Sequence, residues 1–333
     1  MNILITGGAG YIGSIIVEEL IKNNHSGVVI DNLQEGNREA VLPDTEFYEG
    51  DVGNKKLLEK IFTVHNINIV FHFAAETTIE YSMTDPGLYF RNNVVNGVTL
   101  LDVMLKHDCK RFIFSSTAAT FGEPQYTPID EKHPQIPINA YGESKLMFEK
   151  VLDWYHKAYG LKFNAFRYFN AAGASEKLGE DHKHESHLIP VIINSILKQN
   201  RHEGFQIFGN DYPTRDGTCV RDYVHVLDLA QAHILGMYNL DKNPKGKYNL
   251  GNGEGFTNFE VAKIVKKISG KEITYSFRDR RKGDPAVLIA SSELAKKELG
   301  WKPKYPKLED IVKTAWDWHS KFPQGYNTLS EEI

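Results

Sequence analysis

The chain has 333 residues, 41% hydrophobic and 25% charged, with a formal net charge of −4: room for about two domains and a large core, in an ordinary soluble balance. Mild acidity without any long single-sign run argues against nucleic acid or an anionic membrane as main partner, so an anionic ligand must be held by local features. Cys109 and Cys219 lie far apart and outside any CxxC, as expected of a reducing, cytoplasmic setting without disulfides, and no apolar run reaches the ~18 residues of a membrane span.

"NILIT" (2–6) opens the chain as an apolar strand. It has no basic leader and runs straight into glycines, so it reads as buried structure rather than a signal peptide. "ITGGAGYIGS" follows. Gly8-x-Gly10-x-x-Gly13 fits G-x-G-x-x-G, and Gly7, Gly10 and Gly13 fit a looser spacing of the same kind. Such a turn brings bare backbone close to a pyrophosphate and points a helix N-terminus at it. Alone the pattern is weak; here a strand precedes it, the helical pattern 11–23 follows, and Asp31 ends the next strand (27–31), 18 residues beyond Gly13. A carboxylate there accepts from ribose hydroxyls and repels a 2′-phosphate, favouring NAD over NADP.

Strand patterns at 45–51, 67–75, 110–116 and 161–170 then alternate with helical patterns at 54–65, 93–107 and 141–160. The alternation predicts a Rossmann-type, doubly wound α/β fold with a parallel sheet, and the apolar strands predict cover on both faces. The fifth strand ends in "FSSTAATFG", which puts Ser115, Ser116 and Thr117 at the carboxyl edge where ligands bind. "YGESK" opens the next helix. Tyr141 and Lys145, at i and i+4, share one face. A tyrosine titrates near ~10, so service as a base near neutrality needs a stabilised phenolate; Lys145 and an oxidised nicotinamide ring are the expected source, supplying about 4 kcal/mol for a shift of about three pH units. Thr117 is expected to hydrogen-bond the reacting oxygen.

Beyond residue 171 the pattern turns irregular, with helical signals at 188–200, 256–270, 291–301 and 308–322. We expect a dinucleotide-binding domain over 1–172 and a smaller α+β substrate domain over 173–333, part of 222–250 returning to the first, and a frayed tail over 327–333. The loop "DHKHESH" sets His182, His184 and His187 near Asp181 and Glu185. Such groups can bind zinc, but the spacing in a polar loop is permissive and hydride chemistry needs no metal, so none is expected.

The motifs "TGGAGYIG", "DNL" (31–33), "GD" before Val52, "HFAA" (72–75), "NNV" (92–94), "FSSTAATFGE", "YGESK", "RYFNAAGA" (167–174), "GTCVRDYVHVLDLAQAH" (217–233), "YNLGNGEGF" (248–256) and "RRKGDPAVLIASS" (280–292) resemble the extended short-chain dehydrogenase/reductases, and within them the UDP-glucose 4-epimerases. They span nearly the whole chain. The resemblance implies transient oxidation of a UDP-hexose at C4 by bound NAD, rotation of the 4-keto sugar, and hydride return. It implies catalysis by Tyr141, Lys145 and Thr117. NAD contacts are implied for Gly7, Gly10, Tyr11, Ile12, Gly13, Asp31, Asn32, Asp51, Val52, Phe73, Ala74, Ala75, Asn92, Ser115 and Tyr168, besides Tyr141 and Lys145. Substrate contacts are implied for Asn170, His187, Leu188, Phe208, Arg221, Tyr223, Arg281 and Asp284, besides Thr117 and Tyr141. A homodimer through helices 86–107 and 141–160 is implied as well.

There are departures. Thr77 stands where relatives often carry a cofactor-contacting lysine, His187 where an asparagine often precedes the apolar helix, and Leu288 at a pocket-sizing position. An epimerase of UDP-N-acetylhexosamines or another UDP-sugar therefore stays open, as does a non-catalytic NAD-sensing regulator. A 4,6-dehydratase fits less well, because it needs an acid and a base beside the threonine and this chain has Thr117-Ala118-Ala119.

Overall fold

The computed structural model describes residues 1–197, 204–281 and 283–327. Residues 198–200 of the expected helix and 328–333 of the expected tail lie outside the described residues.

Seven strands form one sheet: β1 (Asn2–Thr6), β2 (Ser26–Asp31), β3 (Glu46–Glu49), β4 (Ile69–His72), β5 (Arg111–Thr117), β6 (Lys162–Tyr168) and β7 (Lys245–Leu250). Their spatial order is 7-6-5-4-1-2-3 and every pairing is parallel. The winding direction reverses between β1 and β4, which opens a crevice at the carboxyl edge.

Helices α1 (Tyr11–Lys22), α2 (Lys55–His65), α3 (Gly97–Lys106), α4 (Ala140–Tyr159), α5 (Val226–Asn239) and α6 (Glu293–Leu299) surround the sheet. Strand side chains alternate between faces. Ile3, Ile5, Val29, Phe71 and Phe166 pack with α1 and α5; Leu4, Val28, Val70, Phe112 and Phe163 pack with α2, α3 and α4. Burial on both faces explains the near-continuous apolar strands.

The helix expected at 93–107 begins earlier and is irregular. Asp85 caps it through Leu88 N at 3.2 Å, with Pro86 in the first turn. Pro86–Phe90 is α-helical, Arg91–Asn96 is a π-helical turn, and α3 follows. The expected strand 67–75 narrows to β4, because Phe73 N and Ala74 N leave the ladder to donate to Thr6 O.

The rest of the chain caps the carboxyl edge. Asn170–Ala172 pairs with Tyr223–His225, Val220–Arg221 with Phe256–Thr257 and Val287–Leu288, and Phe205–Phe208 with Tyr275–Arg278. Helices Leu188–Leu197, Asn258–Ser269 and Leu308–Lys321 share a core built on Ile192, Ile193, Val261, Val265, Ile311 and Val312. No helix among the described residues is long and apolar enough to cross a membrane.

Candidate active site

The glycines of the first turn answer to different demands. Gly7 has φ +72°, and a Cβ there would lie 2.5 Å from Ala74 N; a Cβ on Gly13 would lie 2.1 Å from Gly7 O. Both are imposed by packing. A Cβ on Gly10 would make only an ordinary contact, 3.4 Å from Gly7 O. Gly10 is the N-cap of α1, with no capping side chain and no acid in the first turn. The helix thus presents bare N–H groups and the positive end of its dipole to open space, a cradle suited to a diphosphate. Asp31 accepts from Ala9 N at 3.0 Å and Leu33 N at 2.9 Å. Burial pushes its carboxyl up, and these two bonds oppose that. Asn32, which follows, accepts from Gln34 N at 3.1 Å. These features fit a dinucleotide.

Asn96 ties the next predicted residues together, donating to Asp51 Oδ1 at 3.0 Å and Asn92 Oδ1 at 3.1 Å. Val52 is buried beside them in sequence. Phe73, Ala74 and Ala75 leave β4 partly buried, at the switch point opposite the glycine turn.

Gly142 sets the position of Tyr141. A Cβ there would lie 2.4 Å from Ala119 O, so only glycine lets the start of α4 rest on the turn after β5. Asn139 caps that start, accepting from Gly142 N at 2.8 Å. The approach sets the Tyr141 phenol beside Thr117, whose side chain favours the phenolate. Thr117 Oγ1 accepts from Ala119 N at 3.1 Å, which leaves its own proton to donate. One turn on, Lys145 is 2% exposed. Its Nζ donates to Ser115 O at 2.9 Å and lies 6.0 Å from the Tyr141 ring centroid. The structure therefore gathers Tyr141, Lys145, Thr117 and Ser115 at the carboxyl end of β5.

The electrostatics differ from expectation. Burial pushes the Tyr141 phenol up to about 12, opposed by the neighbouring Thr117 side chain; Lys145 contributes no lowering. The reason is that burial also pushes the Lys145 ammonium down to about 7. A cation that is itself desolvated sheds its charge near neutrality and cannot alone acidify a neighbour.

Tyr168, on β6, hydrogen-bonds His233. His233 Nδ1 donates to Leu229 O at 2.7 Å, so its Nε2 accepts from the Tyr168 hydroxyl; burial holds the imidazole neutral, down to about 4.

The C-terminal layer forms the other wall. Asn170 and Tyr223 are register partners. Arg221 is buried and ion-paired to Asp284, with Nη1 donating to Val220 O at 2.8 Å. Leu288 pairs in register with Arg221 and packs on a cluster containing Ala118 and Phe169. The Arg281 guanidinium lies 3.9 Å over the Phe208 ring. His187 Nδ1 is 2.5 Å from Glu180 Oε1, and Leu188 packs, partly buried, against the C-terminal core.

A profile of the NAD dependent epimerase/dehydratase family matches residues 3–251. The chain is 50% identical over 335 residues to UDP-glucose 4-epimerase of Halalkalibacterium halodurans, a match covering 100% of this chain and 99% of that protein. The chain belongs to the NAD dependent epimerase/dehydratase family. Its fold matches a crystal structure of UDP-glucose 4-epimerase with TM-score 0.93 at 47% identity, over 98% of this chain and 99% of the other. It matches UDP-glucose 4-epimerase from Bifidobacterium longum in complex with NAD+ and UDP with TM-score 0.91 at 36% identity, over 98% and 100% of the two chains.

Some residues that hold these side chains in place escaped sequence reasoning. Glu149 accepts from Ser116 Oγ at 2.6 Å and from Arg167 Nε and Nη2 at 2.9 and 2.6 Å, all three residues buried. Glu149 follows Lys145 by one turn on the same helix face, and a second charge on that buried face was the available signal. Asn93 bridges Glu76 N at 2.8 Å and Ser144 Oγ at 3.0 Å, joining the loop after β4 to α4. Asp222 accepts from Asn252 N, Gly253 N and Ala290 N at 2.9, 2.9 and 3.0 Å, fixing the strand that carries Arg221.

Lys145 should also leave a mark on stability. Its ammonium titrates at 10.5 when unperturbed and near 7 when folded. Between those values the unfolded chain holds a proton that the folded one has lost, so stability rises with pH across the window and falls as pH drops toward 7. Relative to Lys145→Met, the wild type should gain on the order of 3 kcal/mol between pH 7 and 10, read from urea midpoints. A difference that stays constant with pH would mean Lys145 is not desolvated.

Proposed function

We propose that this enzyme interconverts UDP-glucose and UDP-galactose at C4. The observation that carries the reading is the buried Lys145, anchored on Ser115 O with its Nζ 6.0 Å from the Tyr141 ring centroid, beside a glycine cradle, in a chain half identical to a UDP-glucose 4-epimerase.

NAD+, when bound, supplies the hydride acceptor and, once reduced, the donor. Gly10 and the first turn of α1 would hold its diphosphate, and Asp31 a ribose. Tyr141 takes the proton of the sugar 4-hydroxyl and returns it; Thr117 donates to the same oxygen. Lys145, anchored on Ser115 O, fixes the side of the site on which the phenol sits. The keto sugar must present both faces in turn, so the hexose is held lightly and the nucleotide firmly. Arg221 and Arg281 suit the diphosphate, since guanidinium forks match phosphate oxygens, and Tyr223, Asn170 and Asp284 suit the remainder of the substrate. Elimination of water would need an acid and a base next to Thr117, where Ala118 and Ala119 stand.

The assembly proposed is a homodimer through α4 and the helical segment ending in α3. Met147 and Trp154 expose one face of α4, and Val95 is exposed on the neighbouring π turn, apolar groups a partner copy would cover.

The test uses UDP-galactose deuterated at C4. Product UDP-glucose should retain the label at C4, because hydride leaves and returns within one closed site. Loss of the label to solvent would rule the reaction out. UDP-N-acetylgalactosamine should turn over more slowly than UDP-galactose in the same assay; the reverse order would reassign the substrate.

A further inference from the structure

The polar loop 174–187 folds into a donor cluster that shares no residue with Tyr141, Lys145 and Thr117. Glu180 Oε1 lies 2.5 Å from His187 Nδ1 and 3.4 Å from His182 Nδ1. Glu185 Oε2 lies 3.3 Å from His182 Nδ1, and its Oε1 3.6 Å from His187 Nδ1. The four residues bring one ligand atom each to within 4.8 Å of one another. His184 is not part of this: it is exposed and faces Glu35 at 3.7 Å.

The distances have a specific meaning. Four donors bonded tetrahedrally at ~2.0–2.1 Å stand about 3.4 Å apart. The observed separations straddle that value. Both imidazoles also aim the same ring nitrogen, Nδ1, at the carboxylates. Glu180 adds a second constraint. It is 3% exposed, and its ion partners among the described residues are His182 and His187, with no lysine or arginine. A buried carboxylate needs compensating positive charge, and one divalent ion would serve both carboxylates.

The scaffold is held independently of any ion. Asn37 Nδ2 donates to Asp181 O at 2.8 Å, Lys183 Nζ to Leu33 O at 2.7 Å, and Tyr326 N to Asp181 Oδ2 at 3.0 Å. His187 O accepts from Val191 N at 3.1 Å in the first turn of the following helix. Tyr11, in the first turn of α1, sets its ring edge-on to His182, centroids 6.3 Å apart.

We propose that Glu180, His182, Glu185 and His187 form a structural site for one divalent ion of the zinc class, clasping the C-terminal layer to the glycine-loop helix. Imidazole nitrogens select zinc-like ions over magnesium and calcium, which prefer all-oxygen shells. Four protein donors close the coordination sphere, as in structural rather than catalytic zinc sites.

The experiment strips purified NAD-containing enzyme with a chelator, titrates zinc chloride, and reads bound metal by mass spectrometry and by competition with a chromophoric chelator. The expected result is about one tightly bound zinc per chain. His182→Gln and Glu185→Gln should each weaken binding at least about tenfold, and His184→Gln should bind as wild type. Cobalt should give tetrahedral ligand-field bands in the wild type, a measurement that needs no variant to fold. Zinc should also raise the wild-type Tm in a concentration-dependent way. Wild type without saturable zinc binding, or His182→Gln and Glu185→Gln binding as wild type, would overturn the site and leave an imidazole–carboxylate hydrogen-bond network in its place.

Discussion

Tyr141→Phe should keep its NAD and its urea midpoint and lose about 10³-fold in turnover of UDP-galactose. General acid–base catalysis contributes roughly 10²–10⁴-fold, and the substitution deletes one oxygen beside Thr117. The ring itself remains to pack. The protein's own groups leave that phenol at about 12. Bringing it to neutrality takes roughly 7 kcal/mol of preference for the phenolate, at about 1.4 kcal/mol per pH unit. Lys145, half discharged near pH 7, adds nothing to it, so the positive nicotinamide ring, when bound, would have to provide it. Cofactor content is read after denaturing the purified protein, and turnover in a coupled assay. Turnover within tenfold of wild type would remove Tyr141 from the reaction.

The largest stability effect is expected at Glu149. Glu149→Ala should cost about 3–5 kcal/mol, the usual result of stranding one partner of a buried ion pair. Arg167 is 2% exposed and its Nη1 already has no hydrogen-bond partner, so loss of the carboxylate leaves a desolvated guanidinium among Phe121 and the sheet. Ser116 loses its acceptor as well, and the nearby Lys247 ammonium, 3.5 Å from Glu149, loses part of its counter-charge. The double variant Glu149→Leu/Arg167→Met removes both charges and should recover most of the loss, because an apolar pair of similar volume often matches a buried salt bridge. Urea unfolding of the single and double variants decides it. A loss below about 1 kcal/mol in Glu149→Ala would show that water reaches Arg167.

Much of this enzyme was legible in its residues. The strand–helix alternation foretold the parallel sheet, because hydrophobic period and turn chemistry are local properties. The glycine turn and Asp31 fell within one βαβ unit, and Tyr141 and Lys145 within one helical turn, so each could be argued from spacing alone. The π turn Arg91–Asn96 breaks that rule: its pattern still reads as helix, and only the bonds from Asn93 to Glu76 and Ser144 explain its course.

The sequence by itself determined the fold class, the glycine cradle, and the tyrosine and lysine that face one space, since all could be read from residue type and spacing along the chain. Tertiary structure alone decided what those groups feel: the raised phenol, the discharged lysine, the Glu149–Arg167 pair, the Arg221–Asp284 pair and the convergence of Glu180 with three other loop donors. Those depend on which distant residues meet and how much water they exclude. Spacing along a chain encodes direction on a helix or strand, but desolvation and partner choice belong to the packed interior.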